Sequence, residues 1–239
     1  MSALCRAARG AIGILFVVAL VGWGNSEADQ RKAFIAFLQD INTRPGIHYL
    51  VPTPNDEKAF GPYLQHYTII LDFTKDMNVS MQDFIAQAIK LGLGPNPAPR
   101  TIEQIAAAPT DLSAAKDAID KMEQALETRL AKITADRGAL KQPDDLKAVY
   151  DKTFDRLVVA PATALQNSAK ALDTGIDAAL ALVAYINTHR TRLIVSGMQI
   201  QAKDQRTLDE IAPLMKAYQD GGERFVAAQR ASDRVLSGN

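Results

Sequence analysis

The longest stretch of this chain without a residue that must interrupt a helix covers residues 160–190. Pro161 suits its first turn, because the amide hydrogen that proline lacks has no helical partner there. A 3.6-residue period separates an apolar stripe from a polar side. The stripe holds Leu165, Ala169, Leu172, Ile176, Ala179, Leu180, Val183 and Ile186, and the polar side holds Gln166, Lys170, Asp173 and Asp177. At 1.5 Å per residue the helix would run roughly 45 Å, and we expect it to be the central rod of a bundle.

The polar side of this helix loses its charges toward the end of the stretch. Ala178, Ala181 and Ala184 stand where charged residues stood earlier. Alanine allows neighbouring helices to approach closely. The sequence therefore predicts that the last three turns are contacted from several directions.

The amino-terminal segment has the layout of a secretory signal peptide. Arg6 and Arg9 precede an apolar run at residues 11–21, and small residues follow it. The run is too short to span a bilayer comfortably. Cleavage after Gly24 and retention as an uncut anchor both remain open. In either case we expect the protein in the periplasm or on the periplasmic face of the inner membrane.

These boundaries predict two parts. Residues 1–24 are a signal peptide or an uncleaved membrane anchor, and residues 25–239 are a single helical-bundle domain, which touches a membrane only through residues 11–24 if they are kept. Cys5 lies in the first part. The second part can form no disulfide, thiolate metal site or cysteine nucleophile.

The charge balance excludes one class of partner. The chain has 27 basic and 27 acidic residues, for a formal net charge of zero. Nucleic acid and anionic lipid are recognised through an excess of positive charge. We therefore expect no nucleic-acid partner, and an interaction with an unidentified envelope protein stays open.

Helix-start signals recur along the rest of the chain. Ser26 with Asp29 resembles a capping box, Thr53-Pro54 and Thr101 with Gln104 suit helix starts, and Pro143 precedes two acidic residues. Glycine and proline at residues 92–99 indicate a linker. The first predicted helix covers residues 27–42, and the second begins at Thr53 and is bent or delayed by Gly61-Pro62. A short helix ended by Pro109 and a helix at 112–137 ended by Gly138 follow. The next helix begins at Pro143 and turns at Ala160-Pro161 into the central helix, and Asp204 caps the last helix.

The last helix differs from the others in its internal breaks. Its apolar residues Leu208, Ile211, Leu214, Met215 and Tyr218 are expected to face inward, Pro213 should kink it, and Gly221-Gly222 should weaken it. Before it, apolar triplets flank Ser196-Gly197 and predict a small β-hairpin near residues 193–201. The predicted fold class is all-α, an elongated antiparallel helical bundle of long amphipathic helices with this hairpin.

Several runs of residues resemble the YiaF-like family, a group of uncharacterised bacterial envelope proteins catalogued as a domain of unknown function. The runs are residues 29–35 with 37–39, 140–142 with 144–147, and 211–214, supported by residues 60–62, 161–162 with 164–165, and Gly197 with Gln199. The similarity covers most of residues 25–239. It implies an envelope location and a helical build, and it assigns no reaction.

One departure from that family concerns lipid attachment. Members of this kind can carry a lipid-bearing cysteine after a Leu-x-Gly run, whereas here Leu20-Val21-Gly22 is followed by Trp23. Without a thiol there is no atom to acylate. We therefore expect no lipid anchor at Trp23.

No catalytic, cofactor-binding or metal-binding residues are predicted. His48, His66 and His189 have no partner at ligand spacing. Asp173 and Asp177 lie four apart, but one helix supplies too few oxygen ligands for a metal, and a solvated face explains them. A cluster around one turn is a candidate docking surface, although helix-start chemistry explains its aspartates equally well. It consists of Lys141, Asp144, Asp145 and Lys147.

Three functions remain open. The first is an exported, non-enzymatic bundle with a structural or interaction role in the bacterial cell envelope. The second is an envelope carrier that binds a small apolar ligand between helices, which a buried pocket larger than roughly 300 Å³ along the central helix would favour and a solid core would count against. The third is an enzyme whose site is assembled from distant residues and is not visible in the sequence.

Overall fold

A computed structural model of the protein describes residues 26–90 and 101–238. The predictions for residues 1–24, for Trp23 and for the linker at 92–99 lie outside them. The elements, in order, are α1 (Glu27–Thr43), α2 (Pro54–Phe60), a 3₁₀ turn (Gly61–Tyr63), α3 (Leu64–Lys90), α4 (Ile102–Ala107), α5 (Pro109–Ala139), α6 (Asp144–Phe154), a π-helical turn (Asp155–Val159), α7 (Ala160–Thr188), β1 (Leu193–Ser196), β2 (Gln199–Ala202) and α8 (Gln205–Ser237). The all-α fold class with one small β-hairpin is confirmed.

The predicted central helix is α7. It packs mainly against α8 and α5, with α3 and α4 as further neighbours. Its apolar stripe is buried except for Leu180, which is half-buried, while Lys170 and Asp177 on the other side are exposed. The 3.6-residue pattern therefore identified the packed face of this helix.

The predicted crowding of the last three turns of α7 is wrong. Ala181 and Ala184 are exposed, and Ala178 is only half-buried. Alanine is found on packed and solvated faces alike, because its side chain is small and carries no polar group. Loss of charge along a helix face therefore does not show where a neighbour lies.

The predicted turn at Ala160-Pro161 is also wrong. The π-helical turn joins α6 to α7 without a break in the helical path. Pro161 has no amide hydrogen for the carbonyl four residues earlier, at Leu157. The Tyr49 hydroxyl donates to that Leu157 oxygen at 2.9 Å. A side chain from a distant loop thus satisfies the group that proline leaves free.

The helix-start predictions are confirmed where they rest on capping residues. Capping boxes begin α1 at Ser26, α2 at Thr53 and α4 at Thr101, and the Asp204 side chain accepts from the Thr207 amide at the start of α8. Two of the predicted helix ends differ from those in the structure. Pro109 begins α5 instead of only ending α4, and Gly138 lies inside the last turn of α5.

The predicted hairpin forms between α7 and α8. Strands β1 and β2 pair antiparallel with Leu193 opposite Ala202, and Gly197 turns the chain at a φ of 58°. The backbone amide of Gly197 donates to the Glu103 carboxylate at 3.1 Å, and the Glu103 amide donates to the Gly197 carbonyl at 3.2 Å. This pair of bonds fixes the hairpin tip to α4.

The carboxyl end of α8 returns to the loop after α1. The Ile47 amide donates to the Leu236 carbonyl at 2.9 Å. Pro213 lies within α8, which continues to Ser237. Ile211 is buried as predicted, whereas Leu208 is 46% exposed, so its predicted inward position is wrong.

Candidate functional site

A cavity of about 630 Å³ opens between α7 and α8. This volume lies within the range of small-molecule sites in proteins. The first turns of α4 and α5 and the hairpin tip complete its wall. The residues used below are Leu172, Gly175 and Ile176 of α7, Gly221, Gly222, Glu223, Phe225, Val226 and Arg230 of α8, and Met198 of the hairpin.

Two glycines bring α7 and α8 together at this cavity. A Cβ atom on Gly221 would lie 2.9 Å from the Gly175 Cα, closer than real side chains come. Glycine inside a helix is less favourable than alanine by about 0.5–1 kcal/mol. At Gly221 the close approach of the two backbones is a structural reason to retain it.

Gly222 has no such reason. A Cβ atom at this position would meet nothing within 4 Å, although the residue lies inside α8 and borders the cavity. An alanine would therefore fit and would favour the helix. With glycine at this position, no side chain separates the backbone of α8 from the cavity.

The inner wall of the cavity is apolar. Leu172 and Ile176 are each 2% exposed and Phe225 is 3% exposed, so their positions are set by the core. The rim instead carries two large apolar side chains in contact with solvent, Met198 at 53% and Val226 at 47% exposure. An apolar molecule in the cavity would cover both.

Two charged residues of α8 stand at the rim. Glu223 and Arg230 are seven positions apart, which is roughly 10 Å along a helix. Both are exposed, and neither forms an ion pair with any residue of the described chain. The Tyr218 side chain is also at this wall, and burial raises the pKa of its hydroxyl, which keeps the phenol neutral. The cavity thus combines an apolar interior with a cation and an anion that are unpaired within residues 26–90 and 101–238.

The predicted docking residues gather around the start of α6. They are Lys141, Asp144, Asp145 and Lys147. Asp145 accepts from the Leu146 amide at 2.9 Å and pairs with Arg31 of α1 at 3.3 Å. Lys147 pairs with Asp151 at 2.6 Å. Two members of the cluster therefore have partners inside the fold, although all four residues are exposed, and the docking role stays a prediction.

Asp173 and Asp177 do not simply face solvent. Lys116 of α5 reaches between them, with its Nζ 2.5 Å from Asp173 Oδ1 and 3.4 Å from Asp177 Oδ1. The hydrogen bond to Asp173 raises the pKa of the Lys116 ammonium. The aspartates thus join α7 to α5, and residues 26–90 and 101–238 contain no group of acidic, histidine or cysteine side chains that could hold a metal ion.

The three histidines lie in different segments of the chain. His48 is exposed in a loop, and the Nδ1 atom of His189 lies 3.0 Å from the Tyr185 carbonyl. His66 is buried on α3, where the Gln142 side-chain amide lies 3.0 Å from its Nδ1 atom. Burial lowers the pKa of His66 and favours the neutral ring. His66 and His189 thus have local structural contacts.

Sequence reasoning did not identify the cavity. It treated Gly221-Gly222 only as a weak point of the last helix and gave no role to Gly175, Glu223 or Arg230. A glycine pair on one long helix and a glycine midway along another was a usable signal, because such positions permit close contact between helices. The pairing of these two helices, however, follows from the tertiary fold.

None of the helices in the described ranges is long and apolar enough to cross a membrane. No solved structure is significantly similar to this chain. The chain is 32% identical over 234 residues to the "Uncharacterized protein YiaF" of Escherichia coli strain K12, an alignment that covers 92% of this chain and 93% of that protein. The protein of the same name from Shigella flexneri matches with the same identity and coverage. Residues 11–233 match the family described as "Protein of unknown function (DUF3053)". The family resemblance is confirmed, and the chain belongs to the DUF3053 family.

Proposed function

We propose that this protein is an exported, non-enzymatic protein of the bacterial cell envelope whose helical bundle binds a small apolar molecule. The observation that carries the binding role is the cavity along α7. Its volume of about 630 Å³ is larger than the roughly 300 Å³ at which ligand sites begin. The cavity lies at the surface of a filled core and opens to solvent past Met198 and Val226, so it favours a carrier whose ligand stays partly exposed.

The wall chemistry supports an apolar ligand. Leu172, Ile176 and Phe225 form a rigid inner surface, while Met198 and Val226 would lose contact with water when a ligand enters. Burial of apolar surface stabilises a complex by about 25 cal/mol per Å² before the entropy of association is subtracted. The affinity would thus come mainly from the hydrophobic effect.

The binding role can be tested with N-phenyl-1-naphthylamine, a neutral apolar dye whose fluorescence rises in apolar surroundings. Gly222→Leu places a side chain in the cavity, and we expect it to weaken dye binding by at least about tenfold, or 1.4 kcal/mol. Gly138→Leu is the matched control, because a side chain at Gly138 also meets open space but lies away from the cavity. Equal dye binding by both variants would contradict the proposal.

Export is supported by the sequence of the amino terminus, with Arg6 and Arg9 before the apolar run at 11–21. Fractionation of cells followed by mass spectrometry of the protein tests it. A new amino terminus near Asn25 in the periplasmic fraction indicates release, and an intact Met1 in the membrane fraction indicates anchoring. Full-length protein among the cytosolic proteins would refute export.

A second candidate is an interaction role at the start of α6. Lys141 and Asp144 are exposed there and form no ion pair within the described part of the chain. The double variant Lys141→Ala/Asp144→Ala should then remove crosslinks to an envelope protein in intact cells and leave dye binding unchanged. An unchanged crosslinking pattern would argue against docking at this surface.

A further inference from the structure

We infer that the cavity between α7 and α8 takes an anionic amphiphile, a molecule with one apolar chain and a carboxylate head, and that Arg230 binds the head. This inference rests on the proposed binding role and adds the class of ligand. The chain would lie against the apolar wall, and the head would remain at the rim.

Arg230 is placed for this role. It lines the cavity, its side chain is exposed, and it forms no ion pair with the described residues. Asp233 lies one turn further along α8 and does not pair with it. A guanidinium presents a planar set of donors that matches a carboxylate with two parallel hydrogen bonds. The structure thus places next to an apolar volume a cation that has no ion-pair partner among the residues it describes.

Glu223 gives the site a direction. It stands at the rim about two turns of α8 before Arg230, and it also lacks an ion pair in the described chain. A carboxylate head near Glu223 would be repelled, whereas a head near Arg230 would be attracted. The two charges therefore favour a single orientation of a carboxylate amphiphile, with the chain end toward Glu223 and the head toward Arg230.

Gly222 directly precedes Glu223 on α8 and leaves room for an extended chain beside the helix. A side chain at this position would meet no protein atom within 4 Å, so the space beside the α8 backbone is open. Its neighbour Val226 is one turn further toward Arg230 and is exposed at the rim. An alkyl chain placed there would cover the bare backbone and the valine together.

The test compares dodecanoate with 1-dodecanol, which has the same chain and a neutral head. Affinities are measured on the full-length protein by displacement of N-phenyl-1-naphthylamine and by calorimetry. Wild type should bind dodecanoate more tightly than dodecanol by about three- to tenfold. Arg230→Gln should remove this preference and leave the affinity for dodecanol unchanged, and Glu223→Gln should raise the affinity for dodecanoate.

Arg224→Gln is the matched control, since Arg224 is an exposed arginine of the same helix that does not line the cavity. It changes the net charge by the same amount and should retain the preference. If dodecanoate and dodecanol bind equally to wild type, or if both arginine variants lose the same affinity, the inference is overturned and the apolar cavity stands. If the dye and both probes fail to bind, the inference and the proposed binding role both fall.

Discussion

Replacing each of two adjacent glycines by alanine should change stability in opposite directions. Gly221→Ala adds a methyl group 2.9 Å from the Gly175 Cα, so α7 and α8 must separate. Gly222→Ala adds the same group where nothing lies within 4 Å. The two variants therefore share their composition and their gain in helix propensity, and they differ only in the contact that the methyl group makes.

The expected magnitudes follow from those contacts. Alanine gains about 0.5–1 kcal/mol over glycine inside a helix, and this is the whole effect at Gly222. At Gly221 the methyl group also overpacks the contact with α7, which lowers stability by about 1–3 kcal/mol. The obstructing atom belongs to the backbone of α7 and cannot rotate away. The net result is a loss of up to about 2.5 kcal/mol. For a domain of this size 1 kcal/mol shifts the Tm by roughly 2–4 °C.

The assay is thermal and urea unfolding followed by circular dichroism at the helical band. Gly222→Ala should unfold at a higher Tm than wild type, and Gly221→Ala at a lower one. An equal rise for both variants would mean that α7 and α8 do not touch at Gly175 and Gly221. That result would remove the structural basis of the cavity, since the glycine contact sets the spacing of its two principal walls.

Three further predictions concern the core and its polar groups. Leu172→Ala should destabilise the protein by about 2–5 kcal/mol and Gln166→Ala by under about 0.5, and equal effects in urea unfolding would refute the assigned stripe. Tyr49→Phe should lower the free energy of unfolding by about 1–3 kcal/mol because it leaves the Leu157 carbonyl without its donor, and an unchanged urea midpoint would contradict this. Burial lowers the pKa of His66 below its ordinary 6.5, so the unfolded chain binds a proton first as the pH falls. The free energy of unfolding should therefore decrease below about pH 6.5, and His66→Gln should remove this part of the pH dependence.

Local signals in the sequence predicted the beginnings and packed faces of the helices. A capping box is a contact between residues three apart, so Ser26 with Asp29 and Thr101 with Gln104 act without help from the rest of the fold. The apolar stripe of α7 is local in the same sense, because a helix must turn its apolar side toward a partner whichever partner that is. These features carry enough information for the fold class.

Features that depend on a distant residue were missed. The passage from α6 into α7 relies on Tyr49, which is more than 100 positions before the Leu157 oxygen that it contacts. The paired aspartates of α7 were placed in solvent because Lys116, their partner, belongs to α5. Gly221 was interpreted only as a weak point of the last helix, because its close contact with Gly175 depends on the tertiary fold. In each case the sequence identified one residue of the interaction, but its structural role depended on a partner that is distant in the sequence.

The cavity also depends on residues that are distant in the sequence. Filling it is expected to raise the stability of the protein and to weaken ligand binding. Protein interiors are normally packed with few voids, so apolar side chains that face an unfilled volume lose contacts that a larger residue would provide. Gly222→Leu should therefore raise the Tm of the unliganded protein through both apolar contact and helix propensity, while it weakens binding of the neutral dye. A defect in folding would lower both quantities together. Opposite changes in one variant would show that the empty volume is retained for a ligand, whereas a lower Tm with weaker binding would show that Gly222 serves the packing of α8.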